Sequence, residues 1–335
     1  MGTNLRIIFC ATSLLFVLYV GLQLFIPSYT AYTPIEVEIP EGASFRQAME
    51  ILQKNGLIRD KNIFIIIGRI TGSDRRIRAG YYGFLGYMSP YQVFKRFIEG
   101  RIIEFDITVN EGDSLREIRE KLATKGIVSK EAFDRLSTDM SFMTSLNINA
   151  PSLEGYLYPD TYRFPKGAKA TNVLKTMVDR LRKEYDDHIR KRMAELGWDE
   201  NEMLTLASII EREAVTDKER PIISAVYHNR LRLGMPLQAD PTAVYGIKSY
   251  REKIYKKDLR RKTSYNTYII KGLPPGPIAS PSIESIRAAL WPAELPYLYF
   301  VSKNDGTHVF SKTLKEHERA IKSIRQGISL QEAES

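Results

Sequence analysis

Two acids, Glu211 and Glu213, end a nearly apolar run, Leu204 to Glu213 (LTLASIIERE). Carboxylates are seldom buried without a partner, because leaving water disfavours the charged form and raises the pKa. A carboxyl still protonated near neutral pH is what a general acid requires. The run reads as a helix, with Asp199 as N-cap, Glu202 as its capping-box partner, and strong helix formers through Ala214. At about 100° per residue, Glu211 shares a face with Leu204, Ala207, Ala214 and Val215, while Ile209, Ile210 and Leu206 cover much of the remainder. Glu211 is therefore expected to be enclosed by protein and to act as the acid. Glu213, near Glu202 and Leu206, is expected to reach solvent. The competing reading makes Glu211 the buried partner of an arginine such as Arg212, Arg230 or Arg232.

Around this helix the pattern predicts one long amphipathic helix from Asn172 to about Leu196 and another from about Glu219 to Leu233, stopped by Gly234. Three polar stretches follow: Leu237 to Thr242 (LQADPT), Tyr265 to Tyr268 (YNTY) and Gly272 to Pro281 (GLPPGPIASP). Amides, carboxylates and tyrosines in such turns suit a polysaccharide cleft, where aromatic faces cover sugar C–H surfaces and amides bond hydroxyl and acetamido groups. Each also has a local role: Asp240 can cap a helix after Pro241, Asn266 can close a turn, and the prolines can fix a loop. A β-hairpin around Asn304 to Gly306 and a last helix carrying His317 close the chain.

Ile7 to Ile26 contains no charge and only Thr12, Ser13 and Gln23 as polar side chains, enough for the ~20 residues of a membrane span. A cleaved signal fits less well, since the run exceeds the usual core of roughly 7 to 15 residues and Pro27, Ser28, Tyr29 and Thr30 make no small-residue cleavage site. Arg6 before the run, and Glu36, Glu38 and Glu41 after it, place the N-terminus in the cytoplasm and the body outside. A single crossing of the membrane is expected. Cys10, the single cysteine, lies in the anchor, so packing rather than disulfides must stabilise the body. Forty-nine Lys and Arg against forty Asp and Glu give a formal charge of +9. Outside a membrane, that balance suits anionic lipid head groups or an anionic polymer, and not nucleic acid.

A pattern occurs twice, from Ile35 to Phe64 and from Phe105 to Leu136. Val37 and Ile39 match Ile107 and Val109 as an alternating strand. Glu41, Gly42 and Ser44 match Glu111, Gly112 and Ser114 as turn and helix start, and Gly56, Leu57 and Ile58 match Gly126, Ile127 and Val128 as helix stop. These units resemble LysM-like modules, which grip cell-wall glycans; a plain α+β scaffold is the other reading. Between the repeats, Arg78 to Tyr91 reads as strand and turn. The expected architecture is α+β: anchor in 1–31, a two-repeat module in 32–150 and a catalytic domain in 151–330.

The histidines are scattered, no H-E-x-x-H or G-x-S-x-G occurs, and no phosphate-binding glycine fingerprint is present, so neither metal nor cofactor is expected. The ordered set LASIIERE, RLRLGMPLQADPT, YNTY and GLPPGPIASP, preceded by LEGYLYPDTY and an anchor, resembles the endolytic murein transglycosylase (YceG-like) family. The resemblance implies a bacterial cytoplasmic (inner) membrane as the location, cleavage within nascent peptidoglycan strands, 1,6-anhydro-N-acetylmuramic acid ends, and peptidoglycan synthases as neighbours. It maps the catalytic acid onto Glu211 and cleft residues onto Gln238, Asp240, Asn266, Thr267, Tyr268, Glu154 and Tyr158. Two other classes stay open: a non-catalytic wall-binding scaffold, and a glycan hydrolase in which Asp240 or Glu213 serves as second carboxylate.

Overall fold

The apolar N-terminal run forms α1 (Gly2–Phe25), long and apolar enough over Arg6–Phe25 to cross a membrane. The structure is a computed structural model; residues 2–28, 33–248 and 252–326 are described. Tyr29 and Thr30 of the weighed cleavage region lie outside them, as does the expected domain end at 330. The chain divides into two units: Met1–Asp106 with Lys125–Val128 and Arg163–Ala168, and Ile107–Thr124 with Ser129–Tyr162 and Lys169–Ser335. The second repeat (105–136) thus lies astride the division.

In the first unit, β1 (Pro34–Ile39) leads to α2 (Phe45–Lys54) and α3 (Lys61–Thr71), and β2 (Gly80–Leu85) to α4 (Pro90–Ile98). β1 and β2 pair antiparallel, from Pro34 opposite Leu85 to Ile39 opposite Gly80. Both α2 and α4 start with a capping box, Ser44 with Gln47 and Ser89 with Gln92, which satisfies end N–H groups that the helix itself cannot. The alternation of β1 and β2 turns Val37, Ile39, Tyr82 and Phe84 inward, where they join Leu52, Phe64 and Phe97 in one core. Leu24, near the end of α1, packs against that core. β3 (Glu104–Thr108) pairs with β4 (Thr161–Pro165).

The second unit is mainly helical. α5 (Leu115–Thr124), α6 (Lys130–Ser137) and α7 (Met140–Ser145) precede β4. The single helix expected over 172–196 is two: α8 (Ala170–Lys183) and α9 (Asp187–Leu196). The break has a local cause, because Asp186 turns extended and its carboxylate accepts from the Ile189 N–H at 2.8 Å, starting a new helix. α10 (Glu200–Glu213) begins at the expected Asp199–Glu202 capping box and buries every residue from Met203 to Ile210. α11 (Arg220–Arg232), α12 (Asp240–Val244) and α13 (Lys256–Leu259) follow, and α14 (Ile283–Leu290) packs along α10. β5 (Tyr299–Ser302) and β6 (His308–Ser311) form the expected antiparallel hairpin, and α15 (Leu314–Gln326) ends the described chain.

Loops lock this helical body. Ser208 of α10 accepts from the Ile278 N–H at 3.0 Å, drawing the proline-rich stretch under the helix. Gly155, at a φ of 80° that disfavours a side chain, lies so close to Pro277 that an added Cβ would come within 2.4 Å of the ring. Ser280 exchanges backbone bonds with the turn before α5: Gly112 N–H to Ser280 O at 2.7 Å and Ser280 N–H to Asp113 O at 2.8 Å.

Candidate active site

The last turn of α10 aims its two acids in different directions, since residues two apart on a helix differ by roughly 200°. Glu211 points toward α11 and α14. Its Oε2 lies 3.1 Å from Arg220 Nη1 and accepts from the Ser282 N–H at 2.9 Å and from the Ser282 hydroxyl. Both side chains of the pair are enclosed, 6% exposed for Glu211 and 8% for Arg220. Arg220 is held further by Asp217 at 3.0 Å and by the Ser285 hydroxyl. The arginine is thus none of the three weighed from sequence. Arg220 and Ser282 both donate to Glu211. Glu111 faces the same cluster, its carboxyl raised first by burial and then by the charge of Glu211.

Glu213 reaches solvent only in part, against the expectation of an outward-facing acid. It is half-buried beside Tyr227 and Asp240, and its carboxyl is pushed up to about 8, first by desolvation and next by the negative charge of Asp240. The Tyr227 hydroxyl and the Asp240 backbone N–H oppose the rise without cancelling it. Asp240 itself is exposed, and its Oδ1 accepts from the Tyr268 hydroxyl at 2.5 Å. A carboxyl with a raised pKa therefore stands behind a solvent-facing acid that is oriented by a tyrosine.

Two of the polar stretches predicted to line a cleft are joined here, and the joint is made by residues that face inward. Thr267 is fully buried; its hydroxyl accepts from the Ala239 N–H at 2.9 Å and lies 2.8 Å from the Thr242 hydroxyl. Asn266 is equally buried, its amide donating to the Leu259 and Arg261 carbonyls while its oxygen accepts from the Tyr268 N–H. These two shape the site and do not line it. Gln238 is exposed and takes a left-handed φ of 49°, a strained conformation for a non-glycine residue. Its N–H donates to Thr267 O at 3.1 Å, and its side-chain oxygen accepts from Arg230 Nη1 at 3.3 Å. The strain turns LQADPT sharply so that Asp240 faces Glu213.

Glu154 lies in a cavity of about 300 Å³ lined by Ser114, Glu117, Arg212, Pro241, Tyr245 and Lys248 among others. It is 3% exposed and accepts from the Leu115 N–H and the Tyr245 hydroxyl, each at 2.9 Å. Burial pushes its carboxyl up to about 7. Tyr158 is elsewhere, buried with the Arg180 guanidinium 5.0 Å over its ring and its hydroxyl pushed up to about 12 by burial. Among the described residues, no group of three or more His, Cys, Asp or Glu side chains is placed to hold a metal ion.

The model of the YceG-like family matches residues 37–323, a stretch that takes in all but the first two residues of the paired repeats, both acids and all three polar motifs. The chain belongs to the YceG-like family. An endolytic murein transglycosylase of Bacillus subtilis is 34% identical over 305 residues, covering 86% of this chain and 84% of that protein. Another, from Streptococcus pneumoniae serotype 2, is 26% identical over 322 residues, and the match spans 58% of its length. A crystal structure of a putative YceG-like protein from Listeria monocytogenes is 32% identical, with a TM-score of 0.59, covering 86% of this chain and 99% of that one.

What sequence reasoning missed in this YceG-like chain is the direction of Glu213. The helix pattern shows that the acids diverge, but not which of them meets Asp240, 27 residues on by subtraction of their numbers (240 − 213). The usable signal was the exposed-looking Asp-Pro pair of LQADPT, whose carboxylate must face something once Pro241 opens α12.

Proposed function

We propose that the chain is an endolytic murein transglycosylase, a lyase of peptidoglycan glycan strands, and that Glu213 rather than Glu211 is its general acid and base. The observation that carries the assignment is the raised Glu213 carboxyl next to Asp240 and Tyr268. The relatives named above support the reaction class. Glu213 gives its proton to the leaving glycosidic oxygen. As positive charge develops at C1, the Asp240 carboxylate stabilises it across the site. The Glu213 carboxylate then takes the proton from the muramyl 6-hydroxyl while that oxygen attacks C1, closing the 1,6-anhydro ring. No water is consumed and the acid is regenerated.

In this reading α1 anchors the chain with its N-terminus inside, and the enzyme meets strands as they leave lipid-linked precursors, beside the synthases that make them. The paired repeats serve as a LysM-like module that steers the strand. Glu211, clamped by Arg220 and Ser282, fixes the end of α10. Gln238 and Glu154 flank the strand's path, and Tyr158 supports it from the core.

The exposed Asp240 gives the hydrolase reading its own footing, since it could instead activate water. Product mass spectrometry on uncrosslinked glycan strands separates the two. Anhydro ends from the wild type, with Glu213→Gln slowed about 10²- to 10⁴-fold and Glu211→Gln active per folded molecule, are expected. Reducing ends would establish hydrolysis, and a fully active Glu213→Gln would remove Glu213 from the mechanism.

A further inference from the structure

Helix α3 buries Phe64, Ile65 and Gly68 against the first unit's core, as an amphipathic helix should. Its other face is also apolar. Ile66 is 57% exposed and Ile70 81%, with Ile63 beside them one turn back, so a stripe of branched side chains faces solvent. Scattered exposed hydrophobics are ordinary, but a stripe on a second helix face marks a surface meant to be covered.

Its location says by what. Arg59, just before α3, donates to the carbonyls of Leu22 at 3.5 Å and Pro27 at 3.0 Å, tying the start of α3 to the end of α1. On the same end of α1, Phe25 meets Tyr91 with ring centroids 6.0 Å apart, and Tyr87 and Tyr91 are exposed. Aromatic rings at the exit of an apolar span are the usual belt at the membrane–water boundary. Arg69 on α3 and Arg75 and Arg76 just after it are exposed as well. An apolar stripe with arginines at its flank and end, fixed to the end of a spanning helix, has the composition of a helix lying in the interface of an anionic bilayer.

We propose that α3 is a membrane-surface helix: Ile63, Ile66 and Ile70 enter the boundary between head groups and acyl chains, and Arg69, Arg75 and Arg76 bind anionic phospholipid head groups of the outer leaflet. The proposal rests on α1 spanning the membrane. Its consequence is that the first unit is pinned at two places, so it cannot swivel freely on its anchor.

The test uses the full chain with Cys10→Ser, carrying one new cysteine at a time in place of Ile66, Ile70, Arg46 or Phe16, labelled with an environment-sensitive fluorophore. Each variant is reconstituted into phosphatidylcholine vesicles with and without phosphatidylglycerol, and quenching by lipids bearing a shallow or a deep spin label is measured. Expected are blue-shifted labels at 66 and 70 quenched by the shallow lipid, less so without phosphatidylglycerol, an unquenched label at 46, and a label at 16 quenched by the deep lipid. Labels at 66 and 70 that escape quenching while 16 is quenched would overturn the proposal and leave the anchor standing. A blue shift without lipid quenching would also overturn it, because protein would then cover the stripe. An unquenched label at 16 would overturn the anchor itself.

Discussion

Glu211 and Glu213 share a helix turn and little else. Glu211 is held by a cation and a serine that contributes two donors, all donating to one oxygen; Glu213 is set among tyrosines and a like charge. Breaking a buried pair leaves the other charge stranded, and Arg220 would keep the exposed Asp217 and the neutral Ser285 hydroxyl. Glu211→Gln is therefore expected to lower unfolding free energy by about 3 kcal/mol, read from urea midpoints, while its cleavage rate per folded molecule stays near that of the wild type. Glu213→Gln should show the reverse pattern, retaining stability and losing rate. Sequence revealed that Glu211 ends this helix as an enclosed acid. The half-buried setting of Glu213 beside Asp240, and the choice of Arg220 as partner of Glu211, are decided by packing between helices and carry no local signal.

At the scale of elements, α10 was legible because its cap, its apolar run and its end are all written locally. The division between α8 and α9 was not, since the apolar spacing runs on through Asp186 and only a side-chain bond to Ile189 decides the break. The polar stretches were legible as turns, but not which of their members face inward, as Asn266 and Thr267 do. Thr267 shows why: a small hydroxyl can serve sugar or backbone equally well, and here it joins LQADPT to YNTY. Thr267→Val preserves shape but removes the acceptor for the Ala239 N–H. A loss of about 1–3 kcal/mol is expected in thermal or urea unfolding, together with a fall in rate because Asp240 and Tyr268 lose their common support.

For the whole molecule, protonation and stability are linked. Glu213 and Glu154 are raised from 4.5 to about 8 and about 7 by burial, so between 4.5 and those values the folded chain binds more protons than the unfolded one. Stability is then fully supported below about 4.5 and declines as pH climbs toward 8. Urea midpoints measured from pH 5 to pH 9 should fall, and Glu213→Gln should flatten the upper part of that slope; a midpoint that rises over the range would contradict the burial of both acids. The mixed α+β architecture was legible in the repeats and the helix periods. The division of the second repeat between two units was not, because it depends on which neighbours β3 and α5 find.

The bonds between Ser280 and the Gly112–Asp113 turn join residues 168 positions apart, counting 280 − 112. Contacts of that span form late, because the intervening chain must be ordered before they repay its closure. On a ribosome the delay is absolute: Asp240, Tyr268 and then Ser280 emerge one after another behind Glu213. Glu213 stays without Asp240 and Tyr268 until residue 268 of the 335 has been added, so the site proposed around it is incomplete in any shorter nascent chain.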